Sequence, residues 1–71
     1  MKLSYFPETD TLYIELAQGK GSDATEIGEG IVGDFDADGR LVGLEIEHAS
    51  TRVDVTRLET DGLPIAKLLA A

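Results

Sequence analysis

The stretch Ile31-Val32-Gly33-Asp34-Phe35-Asp36-Ala37-Asp38-Gly39-Arg40-Leu41-Val42-Gly43-Leu44-Glu45-Ile46 (residues 31–46) decides the fold. Two runs rich in strand formers alternate with period two on either side of Asp38-Gly39. A two-residue turn at Asp38-Gly39 suits a type I′ hairpin, where both central residues need positive φ. That register sets Phe35 against Val42, Gly33 against Leu44 and Ile31 against Ile46. The apolar residues Ile31, Phe35, Val42, Leu44 and Ile46 then fall on one face, and a one-residue slip would expose them all. Upstream, Glu26 to Asp36 reads as one strand, in which Gly28, Gly30 and Gly33 mark bulges or a close backbone approach.

Toward the N-terminus a second hairpin is legible. Lys2-Leu3-Ser4-Tyr5-Phe6 and Thr11-Leu12-Tyr13-Ile14-Glu15-Leu16 alternate around Pro7-Glu8-Thr9-Asp10. In that loop Pro fixes φ, and Asp can bond its own backbone. Pairing across it sets Tyr5 opposite Leu12, Leu3 opposite Ile14, and Lys2 opposite Glu15 as a cross-strand charge pair. Met1, Leu3, Tyr5, Leu12, Ile14 and Leu16 are then expected on one buried face. Ala17 to Thr25, with Gly19, Gly21 and Ser22, reads as a surface loop.

Toward the C-terminus, Thr51-Arg52-Val53-Asp54 offers a helix N-cap pattern, although Val53, Val55 and Thr56 argue against much helix. Asp61-Gly62 breaks the chain. Pro64 suits the first turn of a helix running through Leu69, with Ile65, Leu68 and Leu69 on one stripe. Such a short helix must pack on the sheet or on another subunit. The fold class expected is α+β: an antiparallel four-stranded β-meander of two hairpins, with a short C-terminal helix packed on its apolar face. Residues 1–71 form a single small domain in this reading.

The chain has 71 residues, no Cys and one His. A domain of this size buries only roughly 60% of the surface its unfolded chain exposes, so oligomerisation or partner binding is the expected supplement to stability. Fourteen acids against six bases give −8. Residues 8–47 hold eleven acids against Lys20 and Arg40, a sum of −9, whereas residues 48–71 balance three acids with three bases. Nucleic-acid binding needs clustered Lys and Arg to displace counterions, and anionic membrane surfaces repel an acidic chain, so neither partner is expected. No apolar run reaches 18 residues, which leads to the expectation of a cytoplasmic protein.

One motif carries chemistry. Asp34, Asp36, Asp38, Gly39 and Glu45 occupy positions one, three, five, six and twelve of an EF-hand calcium loop, with Leu41 at position eight. A calcium loop needs flanking helices, and Gly28, Gly30, Ile31, Val32 and Gly33 make a poor helix. In the hairpin register Asp34, Asp36 and Glu45 project from the solvent face, and Asp38 sits in the turn. No metal site is therefore assigned, and Asp34, Asp36, Asp38 and Glu45 remain the candidate ligands. Gly28-x-Gly30-x-x-Gly33 matches a dinucleotide fingerprint but lies within a strand, so no cofactor is expected. His48 ends the last strand with no second His or Cys to join it, and is read as hydrogen-bonding the backbone. No serine lies in a nucleophile or phosphate-binding pattern, and no catalytic residue is assigned. Tyr5 and Tyr13 are read as hairpin residues, one per face.

The order of these residues resembles the family called domain of unknown function 2283. Tyr5-Phe6-Pro7-Glu8-Thr9-Asp10-Thr11-Leu12-Tyr13-Ile14 is similar to its opening Tyr-Asp-Pro-x-x-Asp-x-Leu-Tyr-Ile-like signature, with Phe6 where an Asp is common. Residues 31–46 followed by Ala49-Ser50 resemble its second block. The resemblance spans about residues 3–50. It implies a small stand-alone domain without assigned catalytic residues, in which the Asp-rich hairpin is a turn. It further implies a partner-binding, antitoxin-like role.

The expected function is a non-enzymatic module that self-associates or binds a small basic protein. Leu63, Ile65, Leu68 and Leu69 would give apolar contact, and Asp34, Asp36, Glu45 and Glu47 would steer or cover a basic partner. The competing expectation is a small calcium-binding protein or metal-dependent enzyme built on Asp34, Asp36, Asp38 and Glu45.

Overall fold

The first hairpin forms in the register its alternation dictates. In the computed structural model, which describes residues 1–70, β1 (Lys2–Phe6) pairs with β2 (Thr11–Glu15). Lys2 stands opposite Glu15, Leu3 opposite Ile14 and Tyr5 opposite Leu12. The Thr9 N–H donates to Phe6 O at 3.3 Å, and Asp10 closes the loop at φ 53°, a left-handed conformation Asp tolerates better than most residues.

The second half departs from a meander. It holds three strands, β3 (Asp23–Gly28), β4 (Ile31–Phe35) and β5 (Leu41–Ile46), so the antiparallel sheet has five strands in the order β1-β2-β5-β4-β3. The segment Glu26–Asp36, expected as one strand, is broken by a turn at Glu29-Gly30, where Gly30 takes φ 72°. Gly28 and Gly30 therefore serve a chain reversal. The expected loop 17–25 becomes strand from Asp23 onward. Its residues lacked an apolar alternation because β3 is an edge strand with both faces wet, and Ile27 bulges between Glu26 and Gly28.

Because β2 pairs with β5, residues 16–22 must cross the end of the sheet to reach β3. Leu16 N and Ala17 N both donate to Val42 O, at 2.9 and 3.3 Å, and Ser22 N donates to Phe35 O at 2.7 Å. This connection is fastened to the sheet at both ends.

The β4–β5 register holds for Ile31 opposite Ile46 and Gly33 opposite Leu44, but Phe35 faces Leu41 instead of Val42. The cause is the turn. Asp36 N donates to Arg40 O at 2.9 Å and Gly39 N to Asp36 O at 3.0 Å, which makes a three-residue loop with Gly39 at φ 80°, not a two-residue type I′ turn. The Asp36 carboxylate selects it by accepting from both Asp38 N and Arg40 N at 2.9 Å. The extra residue appears as a bulge beside Val42, whose side chain is 5% exposed and packs toward Gly19.

The expected helix from Pro64 to Leu69 is absent, and residues 53–70 carry neither helix nor strand. Ile65 N donates to Leu63 O at 2.8 Å, so Pro64 centres a tight three-residue turn where a helix would have begun. The remaining apolar stripe is too short to nucleate one against the chain-entropy cost. The one helix among the described residues, α1 (Ala49–Arg52), is a single turn that starts two residues before the expected cap at Thr51. His48 enters it at φ 52°, and Val53 ends it in extended conformation. Asp54 turns forward, accepting from Thr56 N at 3.0 Å.

Alternation puts Leu3, Tyr5, Leu12, Ile14, Ile31, Phe35, Leu44 and Ile46 on one face, as expected, but that face is not buried. Val42 and Ala49 are the buried hydrophobic residues among those described. Gly33 and Gly43 are buried because neighbours cover them: Phe35 and Leu41 lean over Gly33, and the Tyr13 ring lies on Gly43.

Candidate functional site

The two faces of the sheet differ in chemistry. The face opposite the apolar one carries Lys2, Glu15, Glu26, Asp34 and Glu45, with Phe6, Thr11 and Tyr13 beside them. A shallow cleft of about 560 Å³ lies there, lined by Phe6, Thr9, Thr11, Tyr13, Gly21, Asp34 and Glu45. Partial burial raises the Glu45 pKa above its ordinary value, helped by a hydrogen bond with Asp34 and by the negative charges of Asp34 and Glu47. Burial also raises the Tyr13 pKa, with the charges of Asp34, Glu15 and Glu45 adding to it. The arrangement is a carboxyl pair beside a phenol, where burial and like charge favour the protonated forms of Glu45 and Tyr13.

The four candidate ligands are not brought to one point. Asp34 and Glu45 share the cleft, Asp36 spends Oδ1 on two backbone N–H groups, and Asp38 sits in the exposed loop. The flanks of the loop are strands, whereas an EF-hand coils its loop between helices. Among the described residues no three His, Asp or Glu side chains stand close enough to share a metal ion. The glycine fingerprint is likewise split, with Gly28 ending β3, Gly30 in the turn and Gly33 inside β4. His48 lends its backbone: its carbonyl accepts from Thr51 N at 3.1 Å and Thr51 Oγ1 at 2.8 Å.

Sequence reasoning gave Asp10 only a turn role, and the structure gives it far more. Its Oδ1 accepts from the Tyr5 hydroxyl at 2.7 Å and from Ser50 N at 3.0 Å, and its Oδ2 accepts from Ser50 Oγ at 2.7 Å. Its carbonyl accepts from Ala49 N at 2.9 Å. These bonds from Ser50 and Tyr5 hold the Asp10 pKa below its ordinary value, and the same bond raises the Tyr5 pKa. The first turn is thereby tied to α1 across 40 residues. The available signal was the pairing of two blocks, since Asp10 belongs to one and Ala49-Ser50 to the other.

The apolar face is left open. Residues 53–70 run past it without sealing it, leaving a cleft of about 390 Å³ lined chiefly by Leu3, Ile14, Leu58, Leu63, Ile65 and Leu68. Leu58, Leu68 and Leu69 are 62%, 68% and 79% exposed. The whole chain exposes 5726 Å², whereas a folded monomer of 7.6 kDa exposes about 4,300 Å², an excess of about 1,400 Å². Its radius of gyration is 12.9 Å, against about 11 Å for a compact chain of this length. Among the described residues no helix is long and apolar enough to cross a membrane.

No curated protein and no solved structure matches the chain. One family profile matches residues 2–50. The matched segment runs from the first residue of β1 to Ser50, where Asp10 is bound, and the extended C-terminal segment lies outside it. Over that span, which is most of its length, the chain belongs to the family described as protein of unknown function, DUF2283.

Proposed function

We propose that this chain is a non-enzymatic binding module that works by docking a polypeptide on the apolar face of its sheet. The observation that carries the reading is the excess of about 1,400 Å² of exposed surface over a compact monomer of this mass. Apolar side chains dominate the open seam, and a contiguous exposed apolar patch is the usual mark of an interaction site. The carboxylates lie mainly on the other face and in the turns, where they keep the chain soluble and repel acidic partners.

Native mass spectrometry of untagged protein, taken gently from the cells that make it, tests this reading. The expected spectrum shows the chain bound to another polypeptide, whether a copy of itself or a different one. A bare monomer throughout would overturn it.

A further inference from the structure

We infer that the occupant of the apolar face is a second copy of the same chain, joined by a two-fold axis through the seam between the C-terminal segment and β1. This rests on the docking reading above and names the partner. Three observations carry it.

The first is exposure. Met1, Leu3, Leu58, Leu63, Leu68 and Leu69 gather along the seam and each is more than 40% exposed, an apolar surface that a partner would cover. The second is charge. Two copies of a chain carrying −8 repel unless they meet over a neutral surface. Residues 48–71 hold three acids and three bases, and the apolar face of the sheet carries Asp23 alone among the strand carboxylates. Glu15, Glu26, Asp34 and Glu45 point the other way. The third is shape. A two-fold interface uses the same patch on both partners, so the patch must hold both a ridge and a hollow. The seam does: Leu69, 79% exposed, stands out from the chain next to Leu68, which lines the hollow of about 390 Å³. Glu59 and Lys67 border that hollow with opposite charges, so the two-fold rotation of one copy onto the other can set acid against base.

Sedimentation equilibrium on the isolated full chain tests the inference, across concentrations up to on the order of 100 µM. The expected mass is twice 7.6 kDa. The double substitution Leu68→Glu with Leu69→Glu should weaken association at least roughly tenfold with an unchanged far-UV spectrum, because it places four carboxylates in the shared patch. Glu26→Gln, on the other face, should leave association unchanged. Isotope-filtered NMR on a mixture of labelled and unlabelled unsubstituted chain gives an independent readout, with intermolecular contacts expected from the Leu68 and Leu69 methyl groups. A monomer at the highest concentration would overturn the inference, as would a dimer indifferent to the double substitution and lacking those contacts. An isolated monomer, combined with a different polypeptide bound in the cell-derived sample, overturns the second-copy inference alone. A bare monomer in both samples overturns the docking reading too.

Discussion

Ser50 Oγ donates to Asp10 Oδ2 at 2.7 Å, while Ser50 N donates to Oδ1 of the same carboxylate at 3.0 Å. One side chain in the first turn thus receives both polar groups of a residue 40 positions later. With Tyr5 also bound, Asp10 fastens β1, the first turn and α1 together in a fold with almost no buried apolar core. Charge-assisted hydrogen bonds of this kind are the stronger ones, and they stand in for packing that the chain does not have.

Asp10→Ala should therefore be more damaging than substitutions in most turns. It removes three accepted hydrogen bonds and puts Ala at φ 53°, where Asp and Asn are tolerated and Ala is strained. The melting temperature should fall by roughly 5–10 °C. Asp10→Asn keeps the backbone preference and part of the bonding, so it should recover about half the loss. Thermal melts of both variants, followed by circular dichroism, decide this. Equal losses would assign the whole effect to charge.

Two carboxyl groups pull acid stability in opposite directions. Asp10 has its folded-state pKa below the ordinary 3.8, so its stabilisation is complete above that value and is lost as pH falls through the folded value. Glu45 has its folded-state pKa above the ordinary 4.5, so the folded state holds the proton more tightly than the unfolded chain does. Ionised Glu45 is a cost that grows as pH rises from 4.5 through the folded value. Glu45→Gln should raise the melting temperature at pH 7 and leave it nearly unchanged at pH 4. Asp10→Asn should do the reverse, costing stability at pH 7 and flattening the acid limb. Melts of the two variants from pH 3 to 7 check both signs.

Gly43 is held as glycine by Tyr13. A Cβ built there would stand 2.7 Å from the Tyr13 hydroxyl oxygen and 3.2 Å from two ring carbons. Gly43→Ala should push the ring off β5 and cost about 1–3 kcal/mol in urea unfolding, the range for overpacking a closely fitted site. Tyr13→Phe removes the nearest atom but leaves the ring. In that background the cost of Gly43→Ala should shrink without vanishing. A double-mutant cycle measures the difference, and strict additivity would sever the link between the two residues.

Much of the sheet was legible because period-two alternation fixes pairing wherever one face is apolar. Lys2 opposite Glu15 and Ile31 opposite Ile46 follow from it. It says nothing of an edge strand wet on both faces, so Asp23–Thr25 read as loop and Glu26–Gly28 as the start of the next strand. Nor does alternation say which strands become neighbours, and β2 joins β5 instead of its successor. The Asp38-Gly39 signal marked a real turn but gave the wrong length, because the acceptor that chose the loop, Asp36, lies upstream of the turn pair. The helix at Pro64–Leu69 rested on Pro64 and on apolar spacing, and neither overcomes chain entropy without a surface to press against. Of the candidate site, the open apolar residues Leu63, Ile65, Leu68 and Leu69 were named from sequence, while the hold of Asp10 on Ser50, which joins side chains from distant loops, was signalled only by the pairing of the two sequence blocks.

The Asp-rich hairpin loop gives the last prediction. Asp36 Oδ1 already accepts from Asp38 N and Arg40 N at 2.9 Å each, and these bonds set the three-residue turn. A calcium ion would have to take that oxygen from the backbone, and the β-strand flanks leave Glu45 across the sheet in the cleft with Asp34. Asp36→Ala should therefore lower the melting temperature by roughly 5 °C with or without calcium, as loss of a turn-capping acceptor does. Millimolar calcium should produce no binding heat and no shift in the melting temperature of the unsubstituted chain. Saturable calcium heat that disappears in Asp36→Ala would show that the carboxylate serves the ion and not the turn.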